Sequence, residues 1–125
     1  MRAESEPLVS VIIPTRNRAE SVKKAIQSVF RQTYPSVEIV VTDDASTDST
    51  PGELAAISGP FPLTVLHNDR PQGAAAGRNT ALRHAKGLFI AGLDDDDVWH
   101  PDRITRLMHH FRKNCSAVTS YDRMI

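Results

Sequence analysis

Short apolar runs alternate with helical patterns along this chain, and this alternation constrains the fold more than any other feature. Four runs are rich in apolar residues and long enough for strands, and a fifth begins near the end of the sequence. They occupy residues 8–13, 38–41, 63–66 and 88–93, with the fifth at 117–119. The first two are apolar on both faces, which is typical of strands covered by helices on both sides. Strands that alternate with helices predict right-handed crossovers and an α/β fold with a mainly parallel sheet flanked by helices.

The helical segments between these runs are defined by apolar stripes and by residues that favour helix ends. The first helix has apolar residues at i, i+3, i+4, i+7 and i+8, namely Val22, Ala25, Ile26, Val29 and Phe30. Asn17, followed by an acid three residues later, is predicted to cap this helix. A short helix is predicted to begin at Thr50, and a fourth helix at Pro101. Between them we expect an alanine-rich helix over residues 74–86, with Gly87 just past its end.

Composition limits the size of the domain and the classes of partner. A chain of 125 residues, 40% of them hydrophobic, suits one folded domain, which we expect over residues 8–125 after a polar lead at residues 1–7. Zero net charge argues against nucleic acid as a partner. The single cysteine excludes an internal disulfide and favours a reducing, cytoplasmic setting. No run approaches the roughly 18 apolar residues of a transmembrane segment.

Polar residues gather where each predicted strand ends. The first strand ends in residues 14–18, the second in 43–44, the third in 67–70 and the fourth in 94–97. In an open parallel sheet, ligands bind beyond the carboxyl ends of the strands, so these residues are expected to meet at one edge. Any single loop can be polar for no functional reason. The convergence of four strand ends is what predicts a binding site.

The sharpest feature of the sequence is a run of four carboxylates, Asp94 to Asp97, directly after a buried strand. Their mutual repulsion should raise their pKa values unless a cation compensates it. Hard oxygen ligands favour Mg²⁺ or Mn²⁺, which usually share their coordination shell with substrate phosphates. If the segment stays extended, Asp94 and Asp96 face one side and Asp95 and Asp97 the other. The alternative is a solvated acidic turn in front of the next helix, with Asp97 favouring its positive N-terminus.

Two further groups could serve such a ligand. Asp43 and Asp44 form a second carboxylate pair at a strand end, suited to a ribose or base edge, while residues 46–48 could simply cap the following helix. Arg78 and Asn79 lie early in the alanine-rich helix, where an arginine could hold phosphate oxygens or form a surface ion pair. The sequence contains neither a Walker-type loop nor a glycine-rich dinucleotide fingerprint, which argues against P-loop hydrolysis and NAD-dependent redox chemistry.

Three blocks of the sequence resemble those of the family 2 glycosyltransferases, the inverting enzymes with a Rossmann-like GT-A fold. The first block is residues 9–18, which read VSVIIPTRNR. The second combines QTYP at 32–35, EIVV at 38–41 and DDASTD at 43–48. The third combines Gly73, AGRN at 76–79, AKG at 85–87 and LDDDD at 93–97, which contains the DXD motif of the family.

The resemblance implies a nucleotide-diphosphate-sugar donor, most often a UDP-sugar, with Mn²⁺ or Mg²⁺ bridging the diphosphate. Carried over to this chain, it places Pro14, Thr15 and Arg16 beside the base, Asp44 on the uracil or ribose edge, and Arg78 near the base or diphosphate. Asp94 and Asp95 would contact the ribose or the metal's water shell, and Asp96 would be the direct metal ligand, with Asp94 as its partner in the DXD motif.

Two details of the resemblance are less regular. Arg16 stands where the family usually has an aromatic residue that stacks on the base, so base preference is open. The four acids also allow two registers of the DXD motif, and alignment through Trp99 and Pro101 favours Asp94 with Asp96 over the alternative pair.

The resemblance also implies the reaction: a single displacement at the anomeric carbon, with inversion, by an acceptor hydroxyl of a carbohydrate or lipid-linked molecule at the membrane face. A carboxylate base activates that hydroxyl in the family. We expect the base to lie downstream of Ile125, so that this chain is the donor-binding half of a truncated domain, inactive alone and exposing an edge that promotes homo-oligomers.

Two other readings compete with a glycosyltransferase. One is a non-catalytic, receiver-like module that binds a metal or nucleotide through its acids. The other is a nucleotidyltransferase, which would normally show a glycine-rich, basic loop after the first strand. Residues 16–18 contain no glycine, and this ranks the nucleotidyltransferase last.

Overall fold

A computed structural model of the chain describes residues 6–114, which form four strands and four helices in strict alternation. The strands are β1 (Val9–Thr15), β2 (Val37–Asp43), β3 (Leu63–His67) and β4 (Phe89–Gly92). The helices are α1 (Ala19–Phe30), α2 (Thr50–Ala55), α3 (Ala74–His84) and α4 (Arg103–Asn114). The predicted alternation is confirmed, and the strand predicted at 117–119 lies outside the described residues. No helix within residues 6–114 is long and apolar enough to cross a bilayer.

The strands form one parallel sheet in the order β3-β2-β1-β4. In the register of the central pair, Val11 lies beside Ile39 and Thr15 beside Asp43, so β1 and β2 end level with each other. Both strands are buried along their whole length, as their two-sided apolar pattern predicts. The mainly parallel α/β sheet predicted from the sequence is therefore confirmed.

Helices cover both faces of the sheet. On one face the strands pack against the apolar stripe of α1, including Ile26 and Val29, and against Ile104 and Met108 of α4. On the other face a smaller cluster joins Ile12 and Val40 to Ala81 of α3. Helix α3 comes close because of Gly77: a Cβ at that position would lie 3.2 Å from Cβ of Pro14. This close packing brings the N-terminal half of α3 to the carboxyl ends of β1 and β2.

Two of the predicted helix ends are wrong, because distant contacts decide them. Asn17 does not cap α1: Arg18 is the N-cap without a side-chain cap bond, and Asn17 adopts a left-handed backbone (φ 54°). Helix α3 ends at His84, before the predicted residue 86. Gly87 packs on β1 instead of ending that helix, because its N–H donates to Ser10 Oγ at 2.8 Å and a Cβ would lie 2.5 Å from that oxygen.

Candidate functional site

A cavity of about 520 Å³ opens at the carboxyl ends of β1, β2 and β4. The residues to which the sequence analysis gave a binding role in the donor site line it: Pro14, Thr15, Arg16, Asp44, Arg78, Asp94, Asp95 and Asp96. Asn17 and Arg18, expected at this edge but given no role, line it too, as does Ala74, which was not predicted. Asp43, Asn79, Asp97 and the third strand end at 67–70, which were also considered, do not line it. The parallel sheet thus brings residues from 14 to 96 into one site, as expected for strands that end at the same edge.

The acidic run after β4 forms a turn, so the extended geometry considered from the sequence is wrong. The N–H of Asp97 donates to the carbonyl oxygen of Asp94 at 3.1 Å. This turn gathers carboxylate oxygens of Asp94, Asp96 and Asp97 within 4.8 Å of one another, all on exposed side chains. Asp94 and Asp96 lie in one cluster, as the alternation of an extended strand also predicts. Asp97 joins them, although in an extended segment it would face the opposite side.

The charge of this cluster acts on Asp97. Partial burial and, after it, the negative charges of Asp96 and Asp94 raise the pKa of Asp97, while the positive charge of Arg103 opposes the rise. The repulsion predicted from the sequence is therefore present at this carboxyl. Three carboxylates in such proximity form a hard oxygen donor set of the kind that Mg²⁺ and Mn²⁺ prefer.

Two arginines face the acids across the cavity. Arg78 Nη2 lies 3.1 Å from Asp94 Oδ1, and Arg18 Nη1 lies 3.5 Å from Asp95 Oδ1 and 3.4 Å from Asp96 Oδ2. Both arginine side chains are about half exposed, so these ion pairs are weak and exchangeable. The surface ion pair considered for Arg78 is thus present, and it lies at the rim of the cavity.

Asp95 differs from its neighbours because it is tied to β1. The hydroxyl of Thr15 donates to Asp95 Oδ2 at 2.8 Å, and the side chain of Asp95 is mostly buried. Thr15, predicted to lie beside a base, therefore contacts the acidic segment directly. This bond fixes the end of β1 against the turn that carries the carboxylates.

Asp44 is the most firmly held of the predicted residues. It is 6% exposed and accepts hydrogen bonds from Asn68 Nδ2 at 2.9 Å and from the N–H groups of Gln72 and Gly73, each at 2.8 Å. Burial opposes ionisation, but the bonds from Asn68, Gly73 and Gln72 outweigh it, and the pKa of Asp44 falls below its ordinary value. An ionised Asp44 thus holds the loop that leads into α3.

The loops after β1 and β2 are joined by Asn17. Its Oδ1 accepts the N–H groups of Thr47 at 2.7 Å and Asp48 at 3.3 Å, while its own N–H donates to Ser46 Oγ at 2.9 Å. Arg16 adds a bond from Nε to the carbonyl oxygen of Asp44 at 3.1 Å. Asn17 was missed as a site residue because its sequence context is also that of a helix cap. Of the residues considered as caps, Asp48 accepts the N–H of Thr50.

An acidic cluster beside arginines, at the carboxyl ends of a parallel sheet, is typical of α/β proteins that bind nucleotides together with a divalent cation. The family model described as "Glycosyl transferase family 2" matches residues 10–125. The chain belongs to glycosyl transferase family 2, as the sequence blocks predicted.

Relatives in bacteria share this segment. The chain is 39% identical over 107 residues to the Escherichia coli protein "UDP-Glc:alpha-D-GlcNAc-diphosphoundecaprenol beta-1,3-glucosyltransferase WfgD", covering 86% of the chain and 42% of the relative. It is 38% identical over 102 residues to "Succinoglycan biosynthesis protein ExoO" of Rhizobium meliloti, covering 82% of the chain and 29% of the relative. The chain thus spans less than half the length of these relatives.

Solved structures show the same architecture. The mannosyltransferase PcManGT from Pyrobaculum calidifontis, in complex with GDP-Man and Mn²⁺, matches with a TM-score of 0.79 and 34% identity over 85% of this chain and 32% of that one. S. aureus TarS 1-349 in complex with UDP-GlcNAc matches with a TM-score of 0.80 and 28% identity, over 85% and 31% of the two chains. The predicted GT-A fold is confirmed.

Proposed function

We propose that this chain forms the donor site of a metal-assisted glycosyltransferase that uses a nucleotide-diphosphate-sugar, with UDP-sugars as the first class to test. The observation that carries the proposal is the single cavity in which the acidic turn, two arginines and the strand-end residues of a family 2 member meet. The bound ligands of the structural neighbours, UDP-GlcNAc in one and GDP-Man with Mn²⁺ in another, support it.

The acidic turn provides the residues that would hold the metal. Asp96 and Asp94 are the proposed ligands, and Asp97 is near enough to contribute a third oxygen. These carboxylates fit Mn²⁺ or Mg²⁺ and not a soft metal, because they supply only hard oxygen atoms. When bound, the ion supplies positive charge that stabilises the departing diphosphate.

The net charge of the residues that line the cavity is compatible with a bound divalent cation. Three arginines and four aspartates line it, which leaves one excess negative charge. A nucleotide-diphosphate-sugar, with its two ionised phosphates, would be repelled by this balance, whereas its complex with a divalent cation carries no net charge. Arg18 and Arg78 are exposed and paired only weakly with carboxylates, so their guanidinium groups are available to phosphate oxygens.

The firmly held half of the cavity is assigned to the nucleoside. We place the base beside Pro14, Thr15 and Arg16, where the exposed guanidinium of Arg16 can stack on it. We assign Asp44 to the uracil or ribose edge. The N–H of Gln72 is shared between both carboxylate oxygens, at 2.8 and 3.1 Å, so a donor of the nucleoside would take the place of its longer contact.

The remaining steps are assigned to the part of the relatives' length that this chain does not span. We propose inversion at the anomeric carbon by an acceptor hydroxyl that a carboxylate base deprotonates. We place that base, and the site for a carbohydrate or lipid-linked acceptor, in the region of the relatives outside the matched segment. The name of the relative WfgD, which includes a diphosphoundecaprenol-linked sugar, supports an acceptor of this class.

Calorimetry with UDP tests the donor site. We expect UDP to bind in the presence of Mn²⁺, with roughly tenfold or greater loss of affinity in Asp96→Asn, because the variant removes a charged ligand oxygen. Asp69→Asn is the matched control, since Asp69 is exposed and lies outside the cavity lining. Folded protein that binds no UDP would contradict the proposal. Mn²⁺ binding that is indifferent to nucleotide would favour the metal-binding module instead.

A further inference from the structure

Gln32 is a buried amide with no place in the proposed donor site. It follows α1, is 7% exposed and does not line the cavity. Its Nε2 donates to the carbonyl oxygen of His100 at 2.7 Å, and its Oε1 accepts the N–H of Ile104 at 3.0 Å. Both ends of one side chain therefore hold the backbone that connects the acidic turn to α4.

Neighbouring residues of the same helix end hold the same connection. Ser28 Oγ accepts the N–H of Trp99 at 3.1 Å, and the N–H of Thr33 donates to the carbonyl oxygen of Pro101 at 2.9 Å. The backbone is thus fastened at successive points from residue 99 to residue 104. Gln32 also satisfies an N–H in the first turn of α4, where a helix has no internal acceptor for its N–H groups.

The acidic turn lies between two anchors. Upstream, the N–H of Leu93 donates to the carbonyl oxygen of Ile12 at 3.0 Å, which ties the end of β4 to β1. Downstream, Gln32 and its neighbours begin to hold the chain at Trp99. Between these anchors the carboxylates of Asp94 and Asp96 are exposed and pair with half-exposed arginine side chains. Inside the turn, Asp95 is also held by the hydroxyl of Thr15, so the position of Asp94 and Asp96 depends on this bond together with the two backbone anchors.

We infer that Gln32 is a positioning residue for the metal-binding carboxylates, acting through the backbone of residues 99–104. The inference rests on the proposed function, because it concerns the metal site of that function. It predicts that a change at Gln32, remote from the cavity, weakens metal-dependent binding of the nucleotide and leaves the nucleoside half of the site intact. Hydrogen bonds made directly to metal ligands typically contribute roughly 10- to 100-fold to affinity, and we expect the low end of this range for support through the backbone.

The test compares Gln32→Leu with Gln27→Leu, a matched control on the exposed face of α1. UDP affinity is measured with Mn²⁺ by calorimetry and with EDTA by ligand-observed NMR. We expect Gln32→Leu to lose roughly tenfold in the presence of Mn²⁺ and to keep its affinity in EDTA, while Gln27→Leu changes neither. Trp99, the single tryptophan of the chain, gives a local readout, and its emission should shift in Gln32→Leu alone.

The ratio of the UDP affinity with Mn²⁺ to the UDP affinity in EDTA distinguishes a positioning role of Gln32 from a general destabilisation of the fold. Equal loss with and without Mn²⁺, or a ratio within about twofold of the original, overturns the inference. If Gln32→Leu does not fold, Gln32→Glu and Ser28→Ala decide. The first keeps the acceptor for Ile104, and the second removes the acceptor for Trp99 together with the local bond from Ser28 Oγ to the carbonyl oxygen of Ala25. Both variants should lose less UDP affinity than expected for Gln32→Leu, and only in the presence of Mn²⁺. If the unaltered protein binds no UDP with Mn²⁺, the proposed function fails, and this inference with it.

Discussion

The loop after β2 and the turn after β4 face the same cavity, but they are held in opposite ways. After β2, the buried carboxylate of Asp44 accepts three protein donors, and Asn17 fastens the neighbouring loop through backbone N–H groups. After β4, only Asp95 is held by β1, through Thr15, while the exposed carboxylates of Asp94, Asp96 and Asp97 gather around one backbone bond and repel one another. The first region is complete without a ligand, whereas the second has an unbalanced charge that a cation would compensate. One half of the site is preformed and the other is adjustable.

The largest effect on stability is expected from Asp44→Asn, which tests whether the first region is preformed. The new amide group would face the N–H of Gly73, leaving this partly buried donor without an acceptor. We expect the free energy of unfolding to fall by about 2 kcal/mol, measured by urea denaturation at neutral pH. Asp69→Asn should not change it. A loss no larger than that of the control would mean that this loop is held by other contacts.

The same variant should alter the dependence on pH. The pKa of Asp44 is below its ordinary value of 3.8 in the folded protein. Its ionised carboxylate therefore contributes stability above that value, and the contribution is lost as pH falls through the lowered pKa. The denaturation midpoints of the two proteins should converge below about pH 4.

In the turn after β4, replacing an aspartate by asparagine is expected to raise the free energy of unfolding instead of lowering it. The pKa of Asp97 is raised, so its ionised form is disfavoured above that pKa and the penalty disappears as pH falls below 3.8. Asp97→Asn should therefore gain about 0.5 kcal/mol at neutral pH, because it removes repulsion between exposed carboxylates. Thermal unfolding at pH 7 and pH 3 checks this. A loss of stability at pH 7 would break the contrast with Asp44.

The smallest effect on stability is expected from Arg18→Ala. Its contacts with Asp95 and Asp96 are long and exposed, so the free energy of unfolding should change by less than about 0.5 kcal/mol. Affinity for UDP with Mn²⁺ should nevertheless fall severalfold while affinity for uridine stays the same, because the proposed partner of Arg18 is a phosphate. A destabilisation above about 1 kcal/mol would show that these ion pairs are structural.

The sequence predicts the sheet, and which residues lie in the site, better than it predicts how those residues are arranged. The positions of apolar and polar residues along the sequence locate β1 and β2. A parallel sheet then brings Thr15, Asp44 and Asp96 to one edge, because its strands all end on the same side. The turn that adds Asp97 to the cluster could not be predicted, because the four acids offer the same local pattern whether extended or turned.

The same limit explains the errors at helix ends. Asn17 has a good capping side chain, but the N–H groups of Thr47 and Asp48 compete for it from 30 residues away. Gly87 fits the pattern of a helix end, yet it is required by close packing on Ser10. Such choices depend on contacts between distant segments, which local patterns do not contain.

The way in which Asp44 holds its loop has a consequence for how this site can diversify in evolution. The carboxylate binds the main-chain N–H groups of Gln72 and Gly73 and not their side chains. Gly73 is constrained, since its backbone is left-handed (φ 96°), but the exposed side chains at positions 70–72 carry no part of this attachment. Arg70 and Gln72 can therefore accept substitutions while the loop keeps its shape, whereas Pro71 fixes its own backbone angle, so the surface of this loop can change by single mutations without loss of the fold.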